Sequence, residues 1–297
     1  MAYWDDPRRH LPGEEMWMGN PAVRARINLR VTGDPALWPI SWLKARLGAR
    51  APLARAASLG SGTGALERDL VRQAIVERVV GVEVSAACVA EAGRLAAEAG
   101  LAGRIEYVTA DARAWLEEAR GYDALFFHGS LHHFDRLSEL LAAVARAVGP
   151  GGLLYFDEYV GPSAGEWGIA HELLWNAVYR LGIPGRLRRA RRVRAPRNDE
   201  DPTESVASSG ILAAVERRFR ILERRDYGGN LLAPIYPYLR RPSHDPPAPR
   251  ALYDATIERL LDLEEFLLRH PWLPGASSHH TVVLAAAHEA PLGDGAG

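Results

Sequence analysis

Short apolar runs alternate with helical stretches through residues 56–160, and no other feature constrains the fold of this chain as strongly. The predicted strands are Ala56–Leu59, Val79–Val84, Ile105–Thr109, Ala124–Phe127 and Leu153–Tyr159, with predicted helices over about 65–76, 86–99, 111–118 and 136–148 between them. Strand, helix and strand repeated at this spacing predict right-handed crossovers and a parallel sheet covered on both faces. The fold class is therefore α/β.

The segments on either side of this core differ in pattern. Residues 1–50 combine helical stretches with Trp4, Trp17, Trp38 and Trp42 and several prolines, which predicts an N-terminal helical cap. Residues 51–160 form the predicted core. Residues 161–290 predict a helical lid insert, with strand-like runs at Arg220–Tyr227 and Thr281–Ala287 that complete the sheet. A disordered tail is expected at 291–297.

Composition excludes several classes of protein. The formal net charge is -1, so the chain as a whole does not attract nucleic acid or anionic membranes. Cys88 is the only cysteine, which excludes an internal disulfide or a cysteine-based zinc cluster and fits a reducing compartment. Neither a signal-peptide pattern nor a membrane-length apolar run occurs, so we expect a cytoplasmic protein.

A glycine-rich loop, "SLGSGTG", follows the first predicted strand. Gly60, Gly62 and Gly64 stand at alternate positions around Ser61. Ligands of open α/β sheets bind at this place, where the first strand turns into its helix. The spacing differs from the Gly-x-Gly-x-x-Gly of dinucleotide sites. A plain tight turn would also explain the glycines.

Two acidic residues follow the next two strands. Glu83 ends "VVGVE", where a carboxylate can accept hydrogen bonds from both hydroxyls of a ribose. Asp111 follows the third strand, where it can cap its helix or accept from an adenine amino group. A strand-end Glu can equally be a solvated surface residue.

The ordered set "SLGSGTG", "VVGVEVS", "VTADA", "YDALFFHGSLHHF" and "AVGPGGLLYFDEY" resembles the class I S-adenosylmethionine-dependent methyltransferases over residues 50–160. The resemblance implies a Rossmann-like, mostly parallel seven-stranded sheet with one antiparallel strand and helices on both faces. Later segments, such as "YGGNLL", are similar to a bacterial subgroup of this family. They add nothing about the acceptor of the methyl group.

The resemblance also implies roles for particular residues. The glycine loop would lie against the methionine end of S-adenosyl-L-methionine, Glu83 would bind the ribose and Asp111 the adenine. The residues expected to bind the cofactor are Arg30, Gly60, Ser61, Gly62, Gly64, Glu83, Val84, Asp111, Ala112, His128 and Gly129. Arg30 is the expected partner of the cofactor carboxylate. Glu67, in the first turn after the loop, suits a helix N-terminus and could meet the cofactor amino group.

Catalytic candidates lie where cofactor and acceptor should meet. His132 or His133 could take a proton from a hydroxyl or an amine, and Glu158 at the end of the fifth strand could orient that base. We expect the two adjacent histidines to point in different directions, with at most one facing the acceptor. Both could instead only fill hydrogen-bonding positions. No metal is expected, because nothing else in the chain has ligand spacing.

The sequence constrains the binding partners of this chain less than it constrains the fold. Seven arginines within 186–197 could bind RNA phosphates, but they more simply form the charged face of a lid helix. The Asn/Asp-Pro-Pro-aromatic signature of base-amino methyltransferases is replaced by "HGSL", which disfavours nucleic acid. We expect a small, apolar or aromatic acceptor if the tryptophans face the cleft. A nicotinamide-dependent oxidoreductase, an RNA methyltransferase and a non-catalytic cofactor-binding protein remain alternatives.

Overall fold

The computed structural model describes residues 16–196, 201, 203–244, 246–273 and 275–288; Trp4, Arg197 and the predicted tail 291–297 lie outside them. The strands are β1 (Leu53–Leu59), β2 (Val76–Glu83), β3 (Ile105–Thr109), β4 (Ala124–His128), β5 (Leu153–Tyr159), β6 (Phe219–Gly228) and β7 (His280–Ala287). The helices are α1 (Pro21–Thr32), α2 (Pro39–Leu47), α3 (Ala65–Arg72), α4 (Ala86–Glu98), α5 (Ala112–Glu118), α6 (Leu137–Val148), α7 (Ile169–Gly182), α8 (Ile211–Glu216), α9 (Leu232–Ile235) and α10 (Arg250–Leu268).

These strands form one sheet in the order β3-β2-β1-β4-β5-β7-β6. Strands β1 to β5 pair in parallel. Strand β7 runs antiparallel to both of its neighbours, β5 and β6. The predicted mostly parallel seven-stranded sheet with one antiparallel strand is confirmed.

Helices cover both faces of the sheet, so the central strands are apolar on both sides. Successive side chains of a strand point to opposite faces: Phe126 packs in the core on one face and Phe127 in the core on the other. The first core receives side chains from α1, α2, α3, α4, α7, α9 and α10, and the second from α5, α6 and α8. The N-terminal helices therefore pack on the sheet through the first core.

One predicted helix is shorter than its sequence pattern suggested. We expected the helix after the glycine loop to run to about residue 76, but α3 ends at Arg72. Ala74 has a positive φ of 53°, which turns the chain away from the helix. The buried Ile75 and Val76 then lead into β2. An apolar run at this junction belongs to the strand.

The arginine-rich segment is also different from the expectation of a lid-helix face. It contains a short 3-10 turn, Gly185–Leu187, and no helix over the described residues 188–196. Its backbone pairs instead with a neighbouring segment: the Arg189 N–H donates to the Tyr238 carbonyl at 3.0 Å and the Arg240 N–H to the Leu187 carbonyl at 2.7 Å. These hydrogen bonds use backbone N–H and carbonyl groups that would otherwise bond to each other within a helix. Within the described part of the chain, every helix is too short or too polar to cross a bilayer.

Candidate functional site

The carboxyl ends of the five parallel strands meet at one edge of the sheet, where open α/β proteins bind their ligands. The glycine loop follows β1, Glu83 ends β2, Asp111 follows β3, and His128 ends β4. Strand β5 ends there with Asp157, Glu158 and Tyr159. The fold thus brings together most of the residues that the sequence predicted.

The glycine loop lacks side chains first of all because neighbouring residues of the protein leave no space for them. Gly60, Gly62 and Gly64 have φ values of +72°, +53° and +77°, which L side chains rarely adopt. A Cβ on Gly60 would lie 2.6 Å from the Ser130 Cβ, and one on Gly64 would lie 2.1 Å from the Tyr107 hydroxyl. Two of the three glycines are therefore required before any ligand is considered.

Glu83 ties the end of β2 to this loop. Its Oε2 accepts from the Gly62 N–H at 2.9 Å, and its Oε1 accepts from the Ser85 N–H at 3.0 Å. The residue is 7% exposed, so it is not the solvated surface glutamate of the alternative interpretation. Each carboxylate oxygen has two lone pairs, so Glu83 can still accept from an outside donor.

The next two predicted contacts lie beside it. Val84 is 44% exposed, a large apolar side chain facing out of the strand end. Asp111 caps α5, where its Oδ1 accepts from the N–H groups of Arg113 at 2.9 Å and Ala114 at 3.0 Å. Ala112 is buried beneath it. The capping role of Asp111 is confirmed, and its contact with a base stays a prediction.

His128 and Gly129 lie over the end of β5. The exposed His128 places its Nε2 3.7 Å from Asp157 Oδ2, and Gly129, with φ +62°, donates its N–H to the Asp157 carbonyl at 2.9 Å. Tyr227 donates its hydroxyl to Asp157 Oδ1 at 2.6 Å. Burial raises the pKa of Asp157, and the nearby His128 and the Tyr227 hydrogen bond oppose this rise.

Arg30 is not brought to the glycine loop. Its guanidinium pairs with Glu265, and its Nε donates to the Asp226 carbonyl at 3.2 Å. Asp226 belongs to β6, an edge strand of the sheet. Strands β4, β5 and β7 lie between β6 and β1. Helix α1 packs against β6, which carries Arg30 away from the loop.

Arg24, on the same helix, was missed from the sequence. Its Nε is buried without a hydrogen-bond partner, and its guanidinium lies 4.3 Å from the ring centroid of Trp38. Burial lowers the pKa of Arg24, while the charges of Asp157 and Tyr227 oppose this shift. The signal was a charged residue at helical spacing from the buried Ile27.

Glu67 is a second buried acid, in the first turn of α3 after the loop. It is fully buried, and the Ser58 hydroxyl donates to its Oε1. Its Oε2 is buried without a hydrogen-bond partner. Burial raises the pKa of Glu67. An unpaired buried carboxyl oxygen beside a glycine loop is an acceptor for a ligand amine.

The histidine turn follows β4, and Glu158 organises it. Residues Leu131–His133 form a 3-10 turn whose first N–H groups, those of Ser130 and Leu131, both donate to Glu158 Oε1 at 2.6 Å. His132 donates its Nδ1–H to Glu158 Oε2 at 2.7 Å. Glu158 is 1% exposed, so the turn and the end of β5 form one buried hydrogen-bonded unit.

The two histidines titrate in opposite directions. Burial acts to lower the pKa of His132, but the adjacent Glu158 and Glu204 outweigh it and raise this pKa to about 10. Burial also acts to raise the pKa of Glu158, and His132 reverses this effect. Burial and the charge of His132 lower the pKa of His133. At neutral pH His133, and not His132, has the protonation state of a base.

Glu204 joins the two imidazoles from a distant part of the chain. The Val206 N–H donates to the His132 carbonyl at 3.2 Å and holds this segment against the turn. Glu204 Oε2 lies 3.6 Å from His132 Nε2 and 3.8 Å from His133 Nε2. The imidazole centroids are 4.1 Å apart, so the expectation that the histidines point apart is wrong. The tight turn makes them converge.

An aromatic wall lies beyond the histidine turn, at the end of β5 and the start of β7. Its ring contacts have centroid distances of 5.1 Å for Trp17–His280, 5.3 Å for Tyr159–His280, 5.5 Å for Trp167–His279 and 5.1 Å for Trp167–Trp175. Burial lowers the pKa of His279 to about 4 and that of His280 to about 3. His279 Nε2, His280 Nδ1 and Thr281 Oγ1 are buried without hydrogen-bond partners.

Comparison with known proteins finds a family match for the central part of the chain. Residues 56–152 match the family model of a methyltransferase domain. A trans-aconitate 2-methyltransferase from Streptomyces avermitilis is 32% identical over 108 residues, which are 35% of this chain and 38% of that protein. The chain thus spans less than two fifths of the length of this curated relative.

Solved structures show a similar fold over most of the chain. A geranyl diphosphate C-methyltransferase from Streptomyces coelicolor A3(2) aligns with a TM-score of 0.51 and 16% identity over 96% of this chain and 95% of that one. The (4+2)-cyclase SpnF aligns with a TM-score of 0.50 and 18% identity over 84% and 81%. At these identities the likeness shows the fold, and it confirms the predicted architecture.

Proposed function

We propose that this chain, which carries a class I S-adenosylmethionine-dependent methyltransferase domain over residues 56–152, transfers a methyl group to an O, N or C atom of a small molecule. The observation that carries the proposal is that the glycine loop, Glu83, Asp111 and the histidine turn lie within the matched domain and at one sheet edge. The lone cysteine supports a reducing, cytoplasmic setting.

The residues at this edge fit S-adenosyl-L-methionine. Glu83 has acceptor capacity for the ribose hydroxyls, and the exposed Val84 offers an apolar surface for the adenine beside Asp111. Gly62 and Gly129 leave the backbone without side chains there. The bound cofactor supplies an activated methyl group on a sulfonium, so the protein has to align the acceptor and exclude water.

The amino-acid end of the cofactor carries a carboxylate, which needs a cationic partner, and an ammonium group, which needs a hydrogen-bond acceptor. We propose Arg24 for the carboxylate in place of Arg30, because the buried Arg24 Nε lacks a hydrogen-bond partner. We propose Glu67 for the ammonium group, since its buried Oε2 also lacks one. The proposed site thereby satisfies two groups whose burial is otherwise unfavourable.

The aromatic wall supports a small acceptor that is mostly apolar. Pockets for such molecules combine aromatic surface with a few polar groups that fix orientation. The unpaired atoms of His279, His280 and Thr281 offer those polar groups within the wall. His133 is the candidate base for an acceptor that is protonated at neutral pH, and Glu158 positions the turn that carries it. Nucleic acid is not favoured as the acceptor.

A transfer experiment with isotopically labelled donor tests the proposal. We expect the protein to bind S-adenosyl-L-methionine in calorimetry, and to form S-adenosylhomocysteine and a labelled product from a metabolite extract. Donor binding without labelled product would instead support a non-catalytic cofactor-binding protein. Binding of a nicotinamide dinucleotide in place of the donor would overturn the proposal in favour of an oxidoreductase.

A second reaction class is worth including in the product analysis. The structural similarity to the (4+2)-cyclase SpnF shows that a protein with this fold can be named for a reaction other than methyl transfer. Products should therefore be examined for rearranged skeletons without label. An unlabelled cyclised product would favour this second class.

A further inference from the structure

We infer that His132, His133 and Glu204 form a binding site for one divalent first-row transition-metal ion of the Zn²⁺ type. The three residues are brought together by the histidine turn and by the segment that follows the arginine-rich stretch. This inference does not rest on the proposed function, because ion binding is measured without a methyl acceptor. With the ion bound, His133 Nε2 would be a ligand, and His133 would be the candidate base only in the metal-free chain.

The positions of the three ligand atoms suit such an ion. One ligand atom from each of the three residues lies within 4.8 Å of the other two. Glu204 Oε2 is 3.6 Å from His132 Nε2 and 3.8 Å from His133 Nε2. Zinc at ordinary bond lengths of about 2.0–2.2 Å places neighbouring tetrahedral ligands about 3.4 Å apart. Small side-chain movements close the remaining difference.

Both imidazoles have support at the ring nitrogen that faces away from Glu204. His132 donates its Nδ1–H to Glu158 at 2.7 Å, and Glu158 is itself fixed by two backbone N–H groups. His133 Nδ1 lies 3.2 Å from the Thr203 hydroxyl and 3.5 Å from Asp201 Oδ2. A carboxylate that fixes one ring nitrogen while the other binds metal is the usual support of metal-binding histidines.

The charge around the rings also calls for a cation. Glu158, Asp201 and Glu204 place three carboxylates against the two imidazoles. Asp201 is 6% exposed, and its Oδ2 is buried without a hydrogen-bond partner. A divalent ion at the two Nε2 atoms would take the place of the His132 proton as the positive charge beside these acids. Asp201 lies at the Nδ1 side of His133, so it supports that ring and is not itself a ligand of the ion.

The donor set selects the kind of ion. Imidazole nitrogen suits Zn²⁺, Cu²⁺, Ni²⁺ and Fe²⁺, whereas Mg²⁺ and Ca²⁺ prefer oxygen ligands alone. Three protein ligands leave a coordination position open, as in zinc sites that act on substrates. The two adjacent histidines are the only sequence signal of this site, because the third ligand, Glu204, lies far from them in the chain. The expectation of no metal rested on that spacing.

Metal titration of the full chain, without a histidine tag and after chelator dialysis, tests the inference. Zn²⁺ should bind at one ion per chain in calorimetry, and Co²⁺ should give the visible absorption of a four- or five-coordinate site. His133→Ala and Glu204→Gln should each weaken binding by more than about 100-fold, since outer-shell changes alone cost about 10- to 100-fold. Both side chains are less buried than Glu158, so folding should survive.

His270→Ala is the matched control, because this surface histidine just after α10 contacts Phe266 and Trp272 and is not one of the three clustered residues. It should leave Zn²⁺ binding unchanged. The inference is overturned if the wild-type chain, folded by circular dichroism, takes up no ion. It is also overturned if His133→Ala and Glu204→Gln bind as the wild type does, or if excess Mg²⁺ displaces Co²⁺. Failure of methyl transfer would leave all these measurements unaffected.

Discussion

Two halves of the candidate site are built on different principles. The glycine half comprises the loop 60–64, Glu83 and Asp111 at the ends of β1, β2 and β3. The histidine half comprises the turn after β4, Glu158, Glu204 and the aromatic wall. In the glycine half, acids bond to backbone N–H groups of adjacent segments. In the histidine half, Glu158 also bonds to backbone N–H groups, but side chains from distant segments contact one another as well.

The difference indicates a division of labour. In the proposed function, the backbone-bonded acids and the glycines form the part of the site that would bind the cofactor. Side-chain clusters can change without altering the sheet, so they suit the choice of acceptor. If this division is correct, substitutions in the histidine half should affect folding, acceptor and pH response, whereas those in the glycine half should affect donor binding.

The largest effect on stability is expected at Glu158. Glu158→Ala should lower the free energy of unfolding by about 3–5 kcal/mol, because it removes the buried carboxylate bonded to His132 Nδ1 and leaves only the longer contact of His132 with Glu204. Glu158→Gln keeps an acceptor for the Ser130 and Leu131 N–H groups, and should cost about 1–3 kcal/mol. Urea unfolding measures both. Both variants remove the carboxylate charge, so equal losses would show that the kept hydrogen-bond acceptor contributes nothing and would contradict the smaller loss expected for Glu158→Gln.

Donor binding should respond most to Glu83. Glu83→Ala should weaken S-adenosyl-L-methionine binding about 10- to 150-fold, the effect of losing charge-assisted hydrogen bonds worth about 1.5–3 kcal/mol. His133→Ala is the control from the other half, and should leave donor affinity within about twofold. Calorimetry measures the donor affinity of each variant, provided that the variant keeps the wild-type melting temperature. Unchanged affinity in Glu83→Ala would remove this residue from the cofactor site.

The pH dependence of the unfolding free energy should come from the aromatic wall. The folded pKa of His280 is about 3 against 6.5 for the free side chain, so between these values the unfolded state binds more protons. Stability contributed by neutral His280 is present above pH 6.5 and falls with acidification, by about 2 kcal/mol between pH 7 and 5. His280→Phe should flatten the curve of unfolding free energy against pH. A curve of unchanged slope would contradict the buried neutral state.

The smallest effect is expected at Asp111. Asp111→Ala removes the cap of α5 and should cost about 1 kcal/mol in urea unfolding. Asp111→Asn keeps a capping oxygen and should be nearly neutral. If Asp111 also contacts the adenine, both variants should weaken donor binding, which separates the two roles. A loss much larger than that of Glu158→Ala would reverse the comparison of the two halves.

Sequence patterns predicted the positions of the residues of the glycine half, because these signals are local, whereas the contacts of these residues with a cofactor stay predictions. A strand, a turn and an acid within a few positions fix the place of Glu83 and Asp111 on any parallel sheet. Glu204 and Arg24 carry no such signal, since packing of the later segments and of α1 decides what they face. Arg30 was misplaced for the same reason: the register of α1 on β6 is a tertiary property.

Strand β7 lies inside the sheet, although six other strands precede it in the chain. During synthesis, β5 and β6 therefore expose unpaired edges until His280–Ala287 has left the ribosome. Such edges favour association with other nascent chains. The aromatic wall also includes His280, so a partly synthesised chain would have the glycine half without the wall that we propose for the acceptor.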